Sequence, residues 1–237
     1  MNIQNRTLRD IVSENFNAAV LLDAYGLDYC CNGGQTLEDA CSERGIESKK
    51  VITSLFQLDI DSSSERYFRW DVSFLIDYIL NNHHSFIRDT APVIITHLEK
   101  SVTAHGNNHH ELHQVISIFK ECSNGLSDHL LKEEQVLFPY IKKLQQFGTA
   151  SGIIEQPIAV MLKEHETVGS ELRQIRELLD DYTVPDDACT TLQLVYKELE
   201  AFESDIHKHV FLENAVLFPK AIRLEKDLLN ASEPHLA

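Results

Sequence analysis

The sequence predicts an all-α protein, an antiparallel four-helix bundle preceded by a small helical domain. Three observations predict it. Glycine and proline are sparse, 9 and 6 among 237 residues, which leaves few of the turns that an all-β chain needs. Apolar residues recur at helical spacing through long stretches. Short polar or glycine-containing breaks separate those stretches, which is the connectivity of an up-and-down bundle. With 43% hydrophobic residues the chain can fill a core, and disorder is excluded.

The first helix is expected from Thr7, which can cap it, to Gly26, which can end it, with Leu8, Ile11, Val12, Phe16, Ala19 and Val20 on one stripe. The segment Asp28-Tyr29-Cys30-Cys31-Asn32-Gly33-Gly34 reads as a loop. Thr36 opens a second short helix, and Val51, Ile52, Leu55 and Phe56 mark a third that ends near Leu58. Residues 1–58 therefore form a small helical domain, too small to be robust alone and expected to lean on a neighbour. Residues 59–70, with Ser62-Ser63-Ser64, read as a linker, and 71–230 as the bundle. Its segment A runs from Asp71 through Val72, Leu75, Ile76, Ile79, Leu80 and Phe86, past Pro92, to Ala104. Segment B covers His110 to Phe147, segment C Pro157 to Asp181, and segment D Asp186 to Leu229. The breaks are Gly106-Asn107-Asn108, Gly148 to Gly152, and Asp180 to Asp187 with Pro185.

Charge restricts the partners. Against 37 acidic residues stand 21 Lys plus Arg, a formal net charge of −16, which repels phosphate backbones and anionic lipid. No nucleic acid and no membrane surface are expected as partners; cations and basic protein patches are. No stretch reaches the roughly 18 apolar residues of a membrane span, and Met1 to Asp10 carries no signal-peptide core. A cytoplasmic location follows, with the five cysteines as reduced thiols.

An internal repeat points to chemistry inside the bundle. Segment B contains His129-Leu-Leu-Lys-Glu133-Glu-Gln-Val136-Leu137-Phe138-Pro139, and segment D contains His209-Val-Phe-Leu-Glu213-Asn-Ala-Val216-Leu217-Phe218-Pro219. Six of these eleven positions agree. At i and i+4 a histidine and a glutamate share one helix face, within reach of a common ion. Both copies sit among apolar neighbours (Leu130, Leu131, Val136, Leu137; Val210, Phe211, Leu212, Val216), where an unpaired carboxylate or imidazole is costly and a metal relieves the cost. Segment C offers His165 at the same level, and segment A offers His83 or His84. The repeat prefers His209 to His207. Four imidazoles and two carboxylates suit a dinuclear site, and a ligand set without thiolate suits non-haem iron, with manganese or zinc chemically allowed. His109, His110 and His113 open segment B and are expected to face solvent.

This arrangement resembles the hemerythrin-like di-iron bundle. The Asp28-Tyr29-Cys30-Cys31-Asn32-Gly33-Gly34-Gln35-Thr36-Leu37 block is similar to the short domain that precedes such bundles in iron-sulfur cluster repair proteins of the RIC type. The Lys132-Glu133-Glu134-Gln135-Val-Leu-Phe-Pro run, the Glu164-His165 step and the Leu212-Glu213-Asn214-x-Val-Leu-Phe-Pro run strengthen the likeness, which covers nearly the whole chain. The resemblance picks His84 over His83 and implies the metal ligands His84, His129, Glu133, His165, His209 and Glu213, with Glu133 and Glu213 as bridges. Two non-haem iron ions are implied, carboxylate- and oxo-bridged. His105 also matches a family histidine, but on a continuous helix it lies 21 residues beyond His84, about 31 Å at 1.5 Å per residue, so it is assigned to the turn between A and B. Dioxygen carriers sharing this bundle have a fifth histidine; its absence implies open positions and labile iron. Glu134, Glu164 and Glu166 are candidates to orient the imidazoles.

The implied function is repair of iron-sulfur clusters damaged by nitrosative or oxidative stress, through a supply of iron. Damaged iron-sulfur proteins are the implied partners, and nitric oxide or dioxygen the small ligands. Two other readings fit an open di-iron site: a nitric oxide or dioxygen reductase, and a gas sensor. Cys30 and Cys31 are expected to form an exposed dithiol with a redox, nitrosyl-accepting or iron-relaying role; Cys41, Cys122 and Cys189 are expected to be structural. The apolar stripe of the small domain can dock on its own bundle or on a second copy, which allows a homodimer.

Overall fold

Thr7 and Thr36 start the N-terminal module side by side. Each caps a helix: the Thr7 hydroxyl accepts from Asp10 N at 3.1 Å to open α1 (Leu8–Glu14), and Thr36 accepts from Asp39 N at 3.2 Å to open α3 (Leu37–Glu43). Between them lies α2 (Asn17–Ala24) and after them α4 (Ser48–Gln57). Leu8 N donates to Gln35 O and Leu37 N to Arg6 O, both at 3.0 Å, which ties the two caps together. The computed structural model describes residues 3–15, 17–30, 33–58 and 64–232.

The single helix expected over Thr7 to Gly26 is two. Asn15 is extended (φ −143°), and its side-chain oxygen accepts from Asn17 N at 3.1 Å, so the asparagine ends one helix and starts the next. The break turns the stripe. Val20, expected inside, is 61% exposed, while Ala18, Ala19 and Leu22 are buried. Within the expected linker, 59–63 lie outside the described residues and Ser64–Arg69 form α5. Tyr67 and Trp70 meet edge to face at 4.9 Å, and Trp70 packs on Phe74 at 4.6 Å, so aromatic stacking fastens this stretch to the bundle.

Four rods follow. The first is α6 (Val72–Ile79), a π-helical turn over Leu80–His84, and α7 (Ser85–His105). The second is α8 (Glu111–Lys132), a π turn over Glu133–Leu137, and α9 (Phe138–Phe147). The third is α10 (Glu155–Leu178), and the fourth is α11 (Thr190–Phe211), a π turn over Leu212–Leu217, and α12 (Phe218–Ser232). Rods one and three each pack against rods two and four, the square of an up-and-down bundle. The buried faces are apolar: Leu75, Ile76 and Ile79 on α6, Leu112, Val115 and Phe119 on α8, Leu172 and Ile175 on α10, and Leu192, Val195, Leu199 and Phe202 on α11. Among the described residues there is no strand, only the Thr7–Thr36 bridge. No described helix is long and apolar enough to cross a membrane.

Two polar devices set the ends. Gly148 closes α9 in the left-handed region (φ 63°). Beyond it, the buried Glu225 of α12 accepts from Gly152 N at 3.1 Å and Ile153 N at 3.3 Å through Oε1, from Ile154 N at 3.2 Å through Oε2, and from the Tyr140 hydroxyl. One carboxylate thus satisfies the loop before α10. Between α10 and α11, Asp180, Asp181 and Tyr182 all have positive φ (49°, 51°, 60°), a strained run for non-glycine residues. Arg176 holds it: the guanidinium lies 5.0 Å over the Tyr182 ring and 3.6 Å from Asp181, while Nη2 bonds Glu203 at 2.7 Å.

Candidate metal centre

Each π turn seats a ligand candidate. A π turn inserts an extra residue into the helical repeat and widens the helix at that point, a device found mostly at functional sites. His84 ends the first, Glu133 opens the second, and Glu213 is the second residue of the third. With His129 at the end of α8, His165 on α10 and His209 at the end of α11, six side chains from four rods reach one level. All six are buried.

They form two groups that share both carboxylates: His84, Glu133, His209 and Glu213 in one, His129, Glu133, His165 and Glu213 in the other. Within each group one ligand atom per residue lies within 4.8 Å of the others. Glu213 turns one oxygen to each group, Oε1 to His209 Nε2 at 3.0 Å and Oε2 to His165 Nε2 at 3.1 Å. Glu133 Oε2 stands 3.4 Å from both His84 Nε2 and His129 Nε2. Each carboxylate thus lies between the two groups, and the structure brings together all six residues that the resemblance implied.

The outer ring nitrogens fix what the inner ones can do. Glu134 Oε1 accepts from His84 Nδ1 at 2.7 Å, Glu164 Oε2 from His129 Nδ1 at 2.9 Å, and Asn214 Oδ1 from His165 Nδ1 at 2.9 Å. Burial opposes ionisation of Glu134 and Glu164, but His84 and Arg88 hold the first, and Lys132 and His129 the second, below the usual carboxylate range. An ionised carboxylate only accepts, so His84 and His129 carry their proton on Nδ1 and keep a lone pair on Nε2; the Asn214 oxygen sets His165 the same way, while His209 Nδ1 is buried without a hydrogen bond. Inside the site those lone pairs face acceptors. His129 Nε2 is 3.1 Å from His165 Nε2, and His165 Nε2 faces Glu213 Oε2. Both oxygens of Glu133 and Oε2 of Glu213 are buried without a hydrogen bond. Burial, with His209 beside it, pushes His84 down to about 4, and burial lowers His129 and His209 as well. Burial and the neighbouring Glu213 push Glu133 well above the usual carboxylate range, whereas His209 and His165 outweigh burial and hold Glu213 well below it. Facing lone pairs and orphaned carboxylate oxygens are what a cation between them satisfies. The residues fit a metal site.

The remaining histidines separate cleanly. His83 is buried, but its Nδ1 bonds Asp205 at 3.0 Å and its ring stacks on His209 at 5.7 Å. His207 points away from the centre to Asp23, with Nδ1–Oδ1 2.7 Å; burial opposes a charge there, but Asp23 pushes the imidazole up to about 10. His105 is the last residue of α7, and its Nε2 contacts Cys189 at 3.0 Å, far from the centre. His110 and His113 are exposed, while His109 bridges Glu111 and Asp187. Of the three orienting acids expected, Glu134 and Glu164 touch ligand imidazoles and Glu166 is exposed.

Three expectations need correction. Cys30 is not exposed: it is 1% accessible, because Gly33 packs against Tyr29 O so closely that a Cβ would lie 2.0 Å from it, folding the loop inward. Its partner in the expected dithiol, Cys31, lies outside the described residues. Leu131 and Val136 are exposed (47% and 62%), although Val216, the repeat equivalent of Val136, is 1% accessible; α5 and α6 pack against the π turn that carries Val216. Cys189 is exposed at the start of α11; backbone N–H groups of Leu192 and Thr191 and the His105 ring lower its pKa. Cys41 and Cys122 are buried.

Sequence reasoning missed Asn214. It stands in a quoted motif, but a residue beside Glu213 points about 100° round the helix from it, and nothing local pairs it with His165. Its amide also reaches Cys30 O at 3.5 Å, so it touches both the loop and the centre.

The comparisons agree with this architecture. The Hemerythrin HHE cation binding domain matches residues 75–221, and a Domain of Unknown function (DUF542), also called ScdA_N, matches residues 4–59. An iron-sulfur cluster repair protein YtfE from Musicola paradisiaca is 31% identical over 226 residues, which is 95% of this chain and 100% of that protein. A probable iron-sulfur cluster repair protein from Haemophilus influenzae is 31% identical over 225 residues, 94% of this chain and 99% of its own length. A YtfE of Enterobacter sp. is 31% identical over 222 residues, with the same two coverages.

Proposed function

The chain belongs to the family of iron-sulfur cluster repair proteins built on a hemerythrin-like bundle, and from this we propose that it restores damaged clusters by holding two non-haem iron ions and supplying iron. His84 and His209 would hold one ion and His129 and His165 the other, and Glu133 and Glu213, which belong to both groups, would serve both. The observation that supports this is the set of inward lone pairs and unbonded Glu133 oxygens. When bound, the iron supplies Lewis-acid and redox chemistry with positions left open for small ligands such as nitric oxide or dioxygen. The chain's own residues hold the imidazoles in one tautomer through Glu134, Glu164 and Asn214, keep water out with Phe138 and Phe218 stacked on His84 and His165, and set the ligand charge at two carboxylates for two cations. That charge is low for two irons, and with four protein ligands each the ions are retained but exchangeable, as a donor requires. Damaged iron-sulfur proteins are the partners. The relatives' names carry repair, and neither nitric oxide reduction nor gas sensing.

The test is metal analysis with the optical spectrum, beside reconstitution of a nitric oxide-treated iron-sulfur enzyme. Two irons per chain with an oxo-bridge band, lost together with repair in Glu133→Ala and Glu213→Ala, is the expected result. A single zinc, or full repair by a metal-free double variant, would overturn it.

A further inference from the structure

A second cluster of ligand types lies outside the bundle centre. Asp28, Cys30 and His207 each bring one ligand atom within 4.8 Å of the other two. Two come from the loop after α2 and one from α11, so the cluster spans the seam between module and bundle. Cys30 and His207 are buried. Asp28 Oδ1 accepts from Cys30 N at 3.1 Å and lies 3.2 Å from Sγ, while Arg173 holds the other oxygen, Oδ2, at 2.9 Å.

His207 is prepared in the manner of the bundle imidazoles. Asp23 Oδ1 takes its Nδ1 at 2.7 Å, and Asp23 is itself held by Tyr29 and Ser204 through Oδ2 at 3.4 and 3.3 Å. That leaves Nε2 as the nitrogen that can ligate, the carboxylate–histidine–metal arrangement. His83 and His97 also have a carboxylate on Nδ1, but neither belongs to a converging group of ligand atoms among the described residues.

We propose that Asp28, Cys30 and His207 form a third cation site, distinct from the bundle centre, that takes one borderline divalent ion of the zinc and ferrous-iron class. Thiolate, imidazole and carboxylate together are the donor set of such ions, and hard cations such as magnesium or calcium are disfavoured by the sulfur. One thiolate and one carboxylate neutralise the ion. On binding, the Cys30 thiol proton and any proton on His207 Nε2 leave to solvent, and the cation takes the place of that proton among the surrounding acids. The ion clasps the cysteine loop to α11, two residues from His209, and Asn214 links the same loop to His165.

Cobalt(II) added to the full chain tests this independently of the two-iron reading, because the bundle centre contains no thiolate. One equivalent is expected to produce a near-ultraviolet thiolate-to-cobalt band that persists in Glu133→Ala and Cys189→Ser. It is expected to vanish in Cys30→Ser and to need at least about tenfold more cobalt in His207→Gln. Helical circular dichroism checks each fold; if Cys30→Ser does not fold, His207→Gln decides. No band in the unaltered chain, a band that survives Cys30→Ser, or unchanged affinity in His207→Gln overturns the proposal.

Discussion

At the residue scale, the outer partners of the imidazoles carry as much of the site as the ligands. Glu134, Glu164 and Asn214 fix tautomers that leave lone pairs inward. Asn214→Ala should therefore lower metal affinity about 10- to 100-fold while the helical spectrum stays unchanged, as read by competition against a chromophoric chelator. Arg176 and Glu203 form a buried pair at 2.7 Å. Removing only the cation strands a buried carboxylate, so Arg176→Met should cost about 3–5 kcal/mol in denaturant unfolding. The double change with Glu203→Leu should recover most of that. A double variant as unstable as the single one would show that Arg176 acts instead through Tyr182 and the left-handed turn.

At the element scale, the π turns decide the register of the centre. One extra residue in Leu80–His84 lets α6 keep Leu75, Ile76 and Ile79 in the core while His84 faces His209. Deleting Asn82 should restore α-helical spacing and rotate one side of the break by about 100° relative to the other. The expected outcome is a helical protein that no longer holds metal at the His84 group; normal metal content in the deletion would show that the widened turn is dispensable. The second and third π turns fall at equivalent points of the internal repeat, so the repeat is one of backbone shape as well as of residues.

At the scale of the whole molecule, the module and the bundle share one core. Asp23 of α2 joins Tyr29, Ser204 and His207 across the seam. Asp23→Ala leaves a buried imidazole without its acceptor, a loss of about 1–3 kcal/mol. Chemical denaturation should show the midpoint falling; a separate early transition for the module would mark the seam as the weak joint. Arg44 adds a second tie, 2.8 Å to Asp181 at the far turn of the bundle.

The sequence by itself determined the helical class, the four rods and their breaks, because periodicity and punctuation are local signals. It also exposed the His-x-x-x-Glu repeat, and the family likeness singled out His84. Only the tertiary structure decided which faces were covered. Asn15 split the first helix, so Val20 turned outward. Packing of α5 and α6 on the fourth rod's π turn went with a buried Val216 while its equivalent Val136 stayed in solvent, and Cys30 ended inside beside the close approach of Gly33 to Tyr29. Asn214 and the Asp23–His207 pair gained their roles from partners 49 and 184 residues away. Hydrophobic spacing records which side of a helix is apolar; what that side meets is set by packing across the chain.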